Sequence, residues 1–587
     1  MINFTPGQNP EFDAFYAIFF IENHLDHSIY PDEVASPEQI GFMVYMKHEK
    51  IHYYPCTDEM FHRIISRSKN PELEFIYSKV KERIFKLVDD FVSDEEKKPF
   101  LKALLSIKFD HETRDLMMIP SRLEKRLFKI FINQSGISDP YFKIKAEKNM
   151  LVRNFLESNL FKTAIDNIRV NRETGVPDSL SEIRRKLEYI ELRRFIALIG
   201  QPDIFWDKDH HIDSKKLQKC FDKKFFGNGV KDFFSFLGIE GGGSIIEKRQ
   251  KKKLMWLADE AGEVILDIRI VNYLASLGHK VFLVFKEAPI YSKVDITDAE
   301  EDETLKSELS HSEFVYGRDL SKNEIISYLQ REKNVLVISD GTQENLNLLK
   351  ASTTFARAFK ECDAIISRGI EQKRRFFDTH FEFTRPVFNI SHNEDGFVVI
   401  ALKAAHPEVI RFRREDLEKK AAEIIEKMRT KKESGSTVMF YSGIIGSIPG
   451  KIDEATEIMS TFISYLEQSY ENTFIINPSK YYESGMDADD LMYMWEIVQR
   501  SGYIDIWRFQ SYDDIAYSFK LLGKKVPPEW VGKDSTYSTG CTKEMAIALS
   551  VLERNPEMQL TGPSTNKFMR RRDYGVGKMY DRILSEV

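Results

Sequence analysis

The sequence LADEAGEVILD, residues 257–267, places two acidic residues between an apolar run and a helical pattern. Residues 254–258 predict a short buried strand, and residues 264–277 predict a helix that ends before Gly278. Such a strand would hold the Asp259 carboxylate in place, and the free N–H groups of the new helix would attract an anion. A divalent ion on that carboxylate would bridge a phosphate. The plainer alternative, that Asp259 only caps the helix, stays open.

The alternation of strand and helix continues after this motif. Short apolar runs separated by helical segments predict parallel strands joined by crossover connections. This pattern is typical of a three-layer α/β domain with a mainly parallel sheet, whose ligand sites lie at the carboxyl ends of the strands. The further predicted strands are residues 281–285, 334–338, 364–367, 386–390 and 396–401.

Changes of pattern along the chain predict three regions. Residues 1–130 form an N-terminal helical region. Residues 131–432 form the domain around the motif, which is helical to about residue 245 and α/β after it. Linker-like composition near residue 433 then leads to a C-terminal Rossmann-like α/β domain, residues 433–587.

The predicted C-terminal domain contains three segments that would suit a charged ligand. A glycine-rich loop, residues 442–451, follows its first strand, and residues 538–544 (STGCTKE) begin a helix. Both would suit a phosphate, but a plain turn and helix capping by Thr539 or Thr542 are the alternatives. Three aspartates within residues 487–490 begin another helix. Their negative charges stabilise the positive end of a helix dipole, and this role is favoured over metal binding.

Five short motifs occur in a fixed order around the first α/β pattern. They are Asp139-Pro140-Tyr141 with Lys145 and Asn149, Asp259-Glu260-Ala261-Gly262-Glu263, Phe285-Lys286-Glu287-Ala288-Pro289 with Asp298-Ala299, Ser339-Asp340-Gly341-Thr342, and Ser367-Arg368-Gly369. This series resembles the damage-control phosphatases, the family called domain of unknown function eighty-nine. The resemblance covers the chain from about residue 130 to about residue 400.

The damage-control phosphatases are metal-dependent enzymes that act on sugar phosphates and on damaged or unwanted phosphometabolites. The resemblance therefore implies a helical cap over an α/β sheet, with a divalent ion (Mn, Co, Ni or Mg) and a phosphate between them. It implies that Asp259 binds the ion; Glu260 and Asp295 of this sequence are the further candidate ligands. Asp259 and Lys286 would be catalytic, with Lys286 meeting the substrate phosphate. The other residues implied in substrate binding are Asn149, Gly262, Glu263, Gly341, Arg368 and Gly369.

The metal positions of that family are changed in this sequence. The family's asparagine after the aspartate is Glu260, and its Asn-Asp pair after Lys-x-x-Pro aligns with Ser292 and Lys293. Glutamate still offers oxygens to a hard cation, whereas a protonated lysine has donors only and binds no cation. Farther on, Gln372 and Arg374 stand where the family has Asn and Glu.

These departures leave two main hypotheses. The first is a divergent metal-dependent phosphatase whose missing carboxylate comes from Asp295 or Asp340. The second is a metal-free relative that binds a phosphorylated or nucleotide-like ligand, with the Lys293 ammonium in place of the ion beside Asp259 and Glu260. Two further alternatives remain: Lys293 on the surface, and an interaction protein with no pocket at Asp259.

Composition narrows the class of protein. The 587 residues carry a net charge of -7, with 42% hydrophobic and 30% charged residues, which predicts about two to four domains with real cores. No dominant nucleic-acid-binding surface is indicated. The four cysteines form no CxxC pair, which favours a reducing cytosol. We expect a cytoplasmic protein that binds a small phosphorylated metabolite, with no nucleic acid or membrane as partner; the sequence does not set the oligomeric state.

Overall fold

A computed structural model of the chain describes residue 7 and residues 9–46, 52–66, 70–166, 180–199, 213–239, 250–448 and 450–573. The predicted end of the helical cap near residue 245 lies outside these ranges. The chain forms two compact units. The first comprises Met1–Arg318 with Ile325–Pro407, and the second comprises Asp319–Glu324 with Glu408–Val587.

The first unit contains a two-stranded sheet and a seven-stranded sheet. Their strands are β1 (Val44–Tyr45), β2 (Lys253–Leu257), β3 (Lys280–Phe285), β4 (Glu313–Phe314), β5 (Val335–Ser339), β6 (Ala364–Arg368), β7 (Glu382–Phe383), β8 (Val387–His392) and β9 (Val398–Lys403). β1 pairs with β7, and the large sheet has the order β4-β5-β3-β2-β6-β8-β9. Its neighbours are parallel except β8 and β9, which are antiparallel. The predicted α/β class with a mainly parallel sheet is confirmed.

The central strands are apolar at successive positions. β2 reads KLMWL and β3 reads KVFLVF, and Trp256 in β2 is fully buried. This composition fits a parallel sheet, because helices cover both of its faces. Trp256 is in register with Leu283 of β3 and Ile366 of β6. The carboxyl ends of these strands therefore meet at one edge, which is where such sheets bind ligands.

Helices account for most of the remaining first unit. Before β2 they are Pro10–Glu22, Pro37–Gly41, Asp58–Ile65, Pro71–Phe91, Lys97–Thr113, Pro120–Ser135, Phe142–Glu157, Asn159–Asp166, Leu180–Ile199, Ser214–Phe221 and Val230–Phe236. After β2 they are Glu263–Ser276, Ile296–Glu301, Glu303–Glu308, Lys322–Gln330, the 3-10 turn Leu348–Lys350, Thr353–Glu361 and Gly369–Phe377. In the described ranges, no helix is both long enough and apolar enough to cross a bilayer.

The second unit is a smaller α/β structure. Its strands are β10 (Thr437–Ser442), β11 (Thr473–Ile476), β12 (Ile506–Phe509) and β13 (Gln559–Thr561), in the order β11-β10-β12-β13 with parallel pairing throughout. Its helices are Arg414–Glu433, Ile452–Ser469, Ala488–Gln499, Tyr512–Leu521, Thr539–Leu552 and Thr565–Asp573, with 3-10 turns Pro478–Tyr481, Pro528–Trp530 and Ser535–Tyr537. The sequence prediction ended the preceding domain after Arg414–Glu433, whereas the structure groups this helix with the second unit. The domain limits near residues 130 and 433 therefore stay a proposal.

Candidate functional site

The carboxyl end of β2 carries two acidic side chains that share one ammonium group. Lys293 Nζ contacts an oxygen of Asp259 and lies 3.2 Å from Oε1 of Glu260. The backbone supports this arrangement, because the Val294 N–H donates to the Asp259 carbonyl at 3.1 Å. Only 13% of the Lys293 side chain and 11% of the Asp259 side chain are exposed. Lys293 is therefore not a surface residue, and its ammonium lies where the metal-free hypothesis expects it.

Burial and charge act in opposite directions on this cluster. Burial alone would lower the pKa of Lys293, but the charges of Asp259 and Glu260 outweigh it and raise that pKa above its usual value. Burial raises the pKa of Asp259, and Lys293 offsets part of the rise. For Glu260 burial is again the largest single influence and acts upward, but Lys293 and Ser292 together bring the pKa below its usual value. The ammonium thus stays protonated at neutral pH and balances the carboxylates.

Lys286 follows β3 at the same edge of the sheet. Its Nζ lies 2.5 Å from Oδ2 of Asp340 and donates to Thr342 Oγ1 at 2.9 Å. Its backbone N–H donates to the Val294 carbonyl at 3.1 Å, which places it beside the segment that carries Lys293. An ammonium has three donor hydrogens, so one remains for a ligand.

Two predicted site glycines have close neighbours, Gly341 at the Ser352 backbone and Gly369 at the Asp259 carboxylate. Gly341 has φ +77 and Gly369 has φ +73, in the region that favours glycine. A Cβ at Gly369 would lie 2.7 Å from Oδ2 of Asp259. Gly369 is therefore required by its conformation and by its close approach to the Asp259 carboxylate.

Arg368 lies in a buried ion-pair cluster. Its guanidinium contacts an oxygen of Asp267 and lies 3.0 Å from Oε2 of Glu263. Burial raises the pKa of Glu263 to about 7 and that of Asp267 to about 6, although the charge of Arg368 opposes both shifts. Arg368 and Glu263 are therefore partners of each other, and their contact with a substrate stays a prediction.

The upstream helical motif joins the site through Lys145. Its Nζ lies 2.7 Å from Asp139 and 2.9 Å from Asp295, and it contacts Asp298. Oδ1 of Asp295 accepts two N–H groups at the start of helix Ile296–Glu301. Both oxygens of Asp295 thus have partners, so metal ligation by Asp295 stays a prediction that these contacts do not favour.

Asn149 connects the same helical motif to the start of helix Glu263–Ser276. Its Oδ1 accepts the Gly262 N–H at 2.6 Å, and its Nδ2 donates to Asp302 Oδ2 at 2.7 Å. Asn149 is fully buried, and Gly262 has φ +86. Asn149 and Gly262, both predicted to bind substrate, therefore bond to each other. The hydrogen bonds that they form in this structure stabilise the fold.

A narrow pocket lies at this edge of the sheet. Asp259, Lys286, Lys293, Asp340 and Arg375 line it together with apolar atoms of β2 and β3. The cavity has a volume of about 20 Å³, which is room for about one water molecule. A larger ligand therefore has to displace side chains that line it.

Comparison with known proteins gives the family that the sequence resembles. A family model described as the damage-control phosphatase ARMT1-like domain matches residues 52–420. The chain belongs to this family. It is similar in structure to a DUF89 family protein from Pyrococcus horikoshii, with 16% identity and a TM-score of 0.37 over 55% of this chain and 96% of that chain. No curated protein matches the sequence.

Members of the damage-control phosphatase family are metal-dependent, so the carboxylates of this chain have to be compared with the needs of a divalent ion. Asp259 and Glu260 enclose the ammonium of Lys293, and the acidic cluster around Asp295 encloses that of Lys145. A hard cation needs oxygen ligands without a second positive charge among them. The residues as placed here therefore do not fit a divalent ion at Asp259.

Sequence reasoning missed two partners in this family's site. Asp267 pairs with Arg368, and its position one helical turn after Glu263 was the available signal, because residues four apart share a helix face. Arg375 lines the pocket and donates to Ser121 Oγ at 2.8 Å. No local pattern pointed to Arg375, since this partner lies far away in the sequence.

In the second unit, the structure bears on the glycine-rich loop and on the aspartate cluster. A Cβ at Gly443 would lie 2.9 Å from the flexible end of the Met459 side chain, which can move aside. Asp487 caps helix Ala488–Gln499 and forms a capping box with Asp490. The helix-start alternative accounts for the aspartates, and the plain turn at the glycine-rich loop stays a prediction.

The helix that begins near Cys541 has a different cap from the predicted one. The prediction of Thr539 or Thr542 as the cap is wrong: Ser538 Oγ accepts the Cys541 N–H at 3.3 Å. Ser538 holds the position before the first helical residue, where a side-chain oxygen reaches the free N–H groups. Burial raises the pKa of the Cys541 thiol well above its usual value, and its Sγ donates to the Gly443 carbonyl. The thiol is therefore not activated as a nucleophile.

Glu544 on this helix predicts a pH dependence of the second unit's stability. It accepts from Gln499 Nε2 at 2.8 Å, and burial raises its pKa from 4.5 to about 7 against the lowering by Ser442 and Gln499. The folded state thus binds this proton more tightly than the unfolded state does. The stabilisation of the fold by protonated Glu544 is therefore complete below the pKa that this carboxyl has in the unfolded chain. It is lost as the pH rises toward 7. We expect a decrease of about 3 kcal/mol across that window.

The test is urea unfolding at pH 5 and pH 8, followed by tryptophan fluorescence, to which Trp495, Trp507 and Trp530 of this unit contribute. Glu544→Gln should remove most of the difference between the two pH values. Glu553→Gln, at an exposed position after the same helix, is the matched control and should keep it. An unchanged pH dependence in Glu544→Gln would show that other groups cause it.

Proposed function

We propose that this damage-control phosphatase relative binds a small phosphorylated metabolite, a sugar phosphate or a nucleotide-like molecule, without a metal ion. The ligand's phosphate would bind at the edge formed by Lys286, Gly341 and Lys293. The single observation that carries the proposal is the Lys293 ammonium between Asp259 and Glu260. That ammonium supplies the positive charge these carboxylates need, so a divalent ion is not required to balance them.

The free donors of two lysines support phosphate binding at this edge. Lys293 bonds two carboxylates and Lys286 bonds Asp340 and Thr342, which leaves one hydrogen on each ammonium. A phosphate accepts such charged hydrogen bonds strongly. Two ammonium groups can thus bind and orient a phosphate.

Hydrolysis is not part of this proposal. A divalent ion in the family would polarise the phosphoryl oxygens as a Lewis acid, whereas an ammonium offers a single charge and hydrogen bonds. In this chain Asp259 is held by Lys293, and Lys286 is held by Asp340. The side chains that the family resemblance makes catalytic are therefore engaged in balancing charge.

Binding without metal can be measured by isothermal titration with ribose 5-phosphate and with AMP in buffer freed of divalent ions. We expect the full chain to bind one of these probes, and Lys286→Ala to weaken that binding by about tenfold or more, because a charged hydrogen bond is lost. Lys306→Ala is the control, since Lys306 is an exposed ammonium on helix Glu303–Glu308 whose ion pair among the described residues is with Glu303.

The competing hypothesis of a metal-dependent phosphatase gives the opposite pattern. It requires a stoichiometric divalent ion, and phosphate release with cobalt, nickel, manganese or magnesium that is lost in Asp259→Ala. Such turnover would overturn the metal-free proposal. Equal weakening by Lys286→Ala and Lys306→Ala would also count against it, because the effect would then be one of general surface charge.

A further inference from the structure

A second, larger cavity lies in the helical part of the first unit. Its volume is about 720 Å³, a size typical of sites for small molecules. The end of helix Pro10–Glu22, helix Lys97–Thr113 and helix Pro120–Ser135 form its walls. We call it the basic pocket, because its lysines and arginines outnumber its carboxylates. The cations are Lys108, Arg114, Arg122, Lys125, Arg126 and Lys129, and the carboxylates are Glu22, Glu33, Glu112 and Asp115.

Four of these cations form one stripe on helix Pro120–Ser135. Positions 122, 125, 126 and 129 are three, four and seven residues apart, so they share a helix face. Like charges at this spacing repel each other and destabilise a helix. Negative charge in the cavity would therefore reduce the repulsion among these four cations.

Carboxylates of the chain neutralise only part of this charge. Glu112 pairs with Lys108 and with Arg126. Arg122 is buried and pairs with Glu344 at 2.6 Å. These bonds fix the walls of the pocket and account for three of its six lysines and arginines.

The other three cations of the lining are Arg114, Lys125 and Lys129. Among the residues that the structure describes, none of the three forms an ion pair with a carboxylate. Lys125 is half-buried and Lys129 is exposed. The pocket thus keeps cationic groups with free donors on the face that a ligand would meet.

Burial and neighbouring charge together lower the pKa of three groups around the pocket. Burial and then the charge of Arg122 lower the pKa of Lys350 to about 8 against the pull of Glu33. The pKa of Lys125 also falls, first through burial and then through Arg122. The pKa of His24 falls through burial and through the positive charges of Arg126, Arg122 and Lys350. Burial is the largest cause of each shift, and the positive charges of the neighbouring arginines act in the same direction.

His24 itself occupies an unusual backbone position at the pocket. It has φ +52 after helix Pro10–Glu22, where the Leu25 N–H bonds back to the Phe20 carbonyl and the His24 N–H to the Ile21 carbonyl. Helix ends of this kind normally carry glycine in the left-handed position. His24 keeps a side chain in this strained position and lines the cavity. Its imidazole adds a hydrogen-bonding group to the lining.

We propose that the basic pocket binds a small molecule with two or more linked phosphates. Its cations, cavity size and helical walls suit a compact, multiply charged anion better than an extended polymer, and the chain's net charge of -7 gives no general attraction for anions. This site is separate from the phosphate site proposed at Lys286 and Lys293, because the two share no lining residue.

Inorganic pyrophosphate is the probe, titrated calorimetrically into the full chain in buffer free of metal ions and phosphate. We expect Lys125→Glu/Lys129→Glu to weaken pyrophosphate binding by about tenfold or more, because two charged contacts are replaced by repulsion. Neither lysine has an ion pair with a described residue, so the fold should tolerate the change, and the circular dichroism spectrum checks this. Orthophosphate, with fewer charges and one phosphorus centre, should bind more weakly than pyrophosphate.

The matched control is Lys215→Glu/Lys219→Glu, which reverses two exposed lysines at the same spacing on helix Ser214–Phe221. It should leave pyrophosphate binding unchanged. Equal weakening in both double variants, or no pyrophosphate binding by the unaltered chain, would overturn the proposal. Loss of binding in Lys286→Ala alone would instead place the anion at the sheet edge, which would support the proposed function and contradict the basic pocket.

Discussion

We expect Lys293→Met to destabilise the first unit by about 3 kcal/mol at neutral pH. Methionine keeps much of the length of the lysine chain but removes the ammonium between Asp259 and Glu260. The Asp259 side chain, only 11% exposed, would then face a second carboxylate with no nearby counter-charge. Glu260 is 37% exposed and is partly stabilised by water, so the loss should lie at the lower end of the range for broken buried pairs.

Hydrogen exchange of the amides in β2 and β3 measures this loss locally, so the second unit does not enter the result. Replacing all three charges, in Asp259→Asn/Glu260→Gln/Lys293→Met, should recover most of the stability, because no ionised group is then left unpaired. Lys306→Met, at an exposed pair, should change exchange little. If these amides exchange as slowly in Lys293→Met as in the natural sequence, the Lys293 ammonium does not stabilise the Asp259 and Glu260 carboxylates.

The β2 region can be predicted well from the sequence, because residues that are neighbours along the chain determine its strand and helix. An apolar strand, two acids, small residues and a helical repeat follow one another within residues 254–277, and the structure has β2 followed by helix Glu263–Ser276. The pair of Asp259 with Lys293 spans only 34 residues and one crossover. Motif order and the parallel sheet together were enough to bring these groups to one edge.

Other parts of the site depend on contacts that no local pattern encodes. Arg368 matched a substrate-binding position by its motif, yet in the fold it pairs with Asp267, 101 residues away in sequence. The edge strands β4 and β13 were not predicted, since segments of two and three residues show no measurable periodicity. The cap of the Cys541 helix was missed by one position, because several hydroxyl residues in a row offer similar caps.

The substitution at position 293 changes what the pocket can do, even though it preserves the balance of charge. An ammonium and a divalent ion both stabilise neighbouring carboxylates, so the fold around Asp259 persists with either. A divalent ion, however, accepts oxygen ligands from both protein and substrate, whereas the ammonium only donates hydrogen bonds. The proposed binding of phosphate by Lys286 and Lys293 needs only hydrogen-bond donors, so it does not depend on an ion at Asp259.

Restoring the family's residues should create a metal site, which is the second large effect that we expect. Ser292→Asn/Lys293→Asp removes the ammonium and adds a carboxylate next to Asp259 and Glu260. The change from one positive to one negative charge within a few ångströms should strengthen Mn²⁺ binding by at least about a hundredfold relative to the natural sequence. Equilibrium dialysis with Mn²⁺, followed by metal analysis of the protein, measures the affinity and the stoichiometry.

Two controls make the metal result decisive. Ser292→Asn/Lys293→Asn removes the ammonium without adding a carboxylate, so it should bind Mn²⁺ more weakly than the aspartate variant does. Adding Asp259→Ala to that aspartate variant should abolish the gain, because a ligand on β2 is lost. If the natural sequence already binds one equivalent as tightly as the aspartate variant, the Lys293 ammonium yields its place to the ion, and the protein is a metal-binding member of its family.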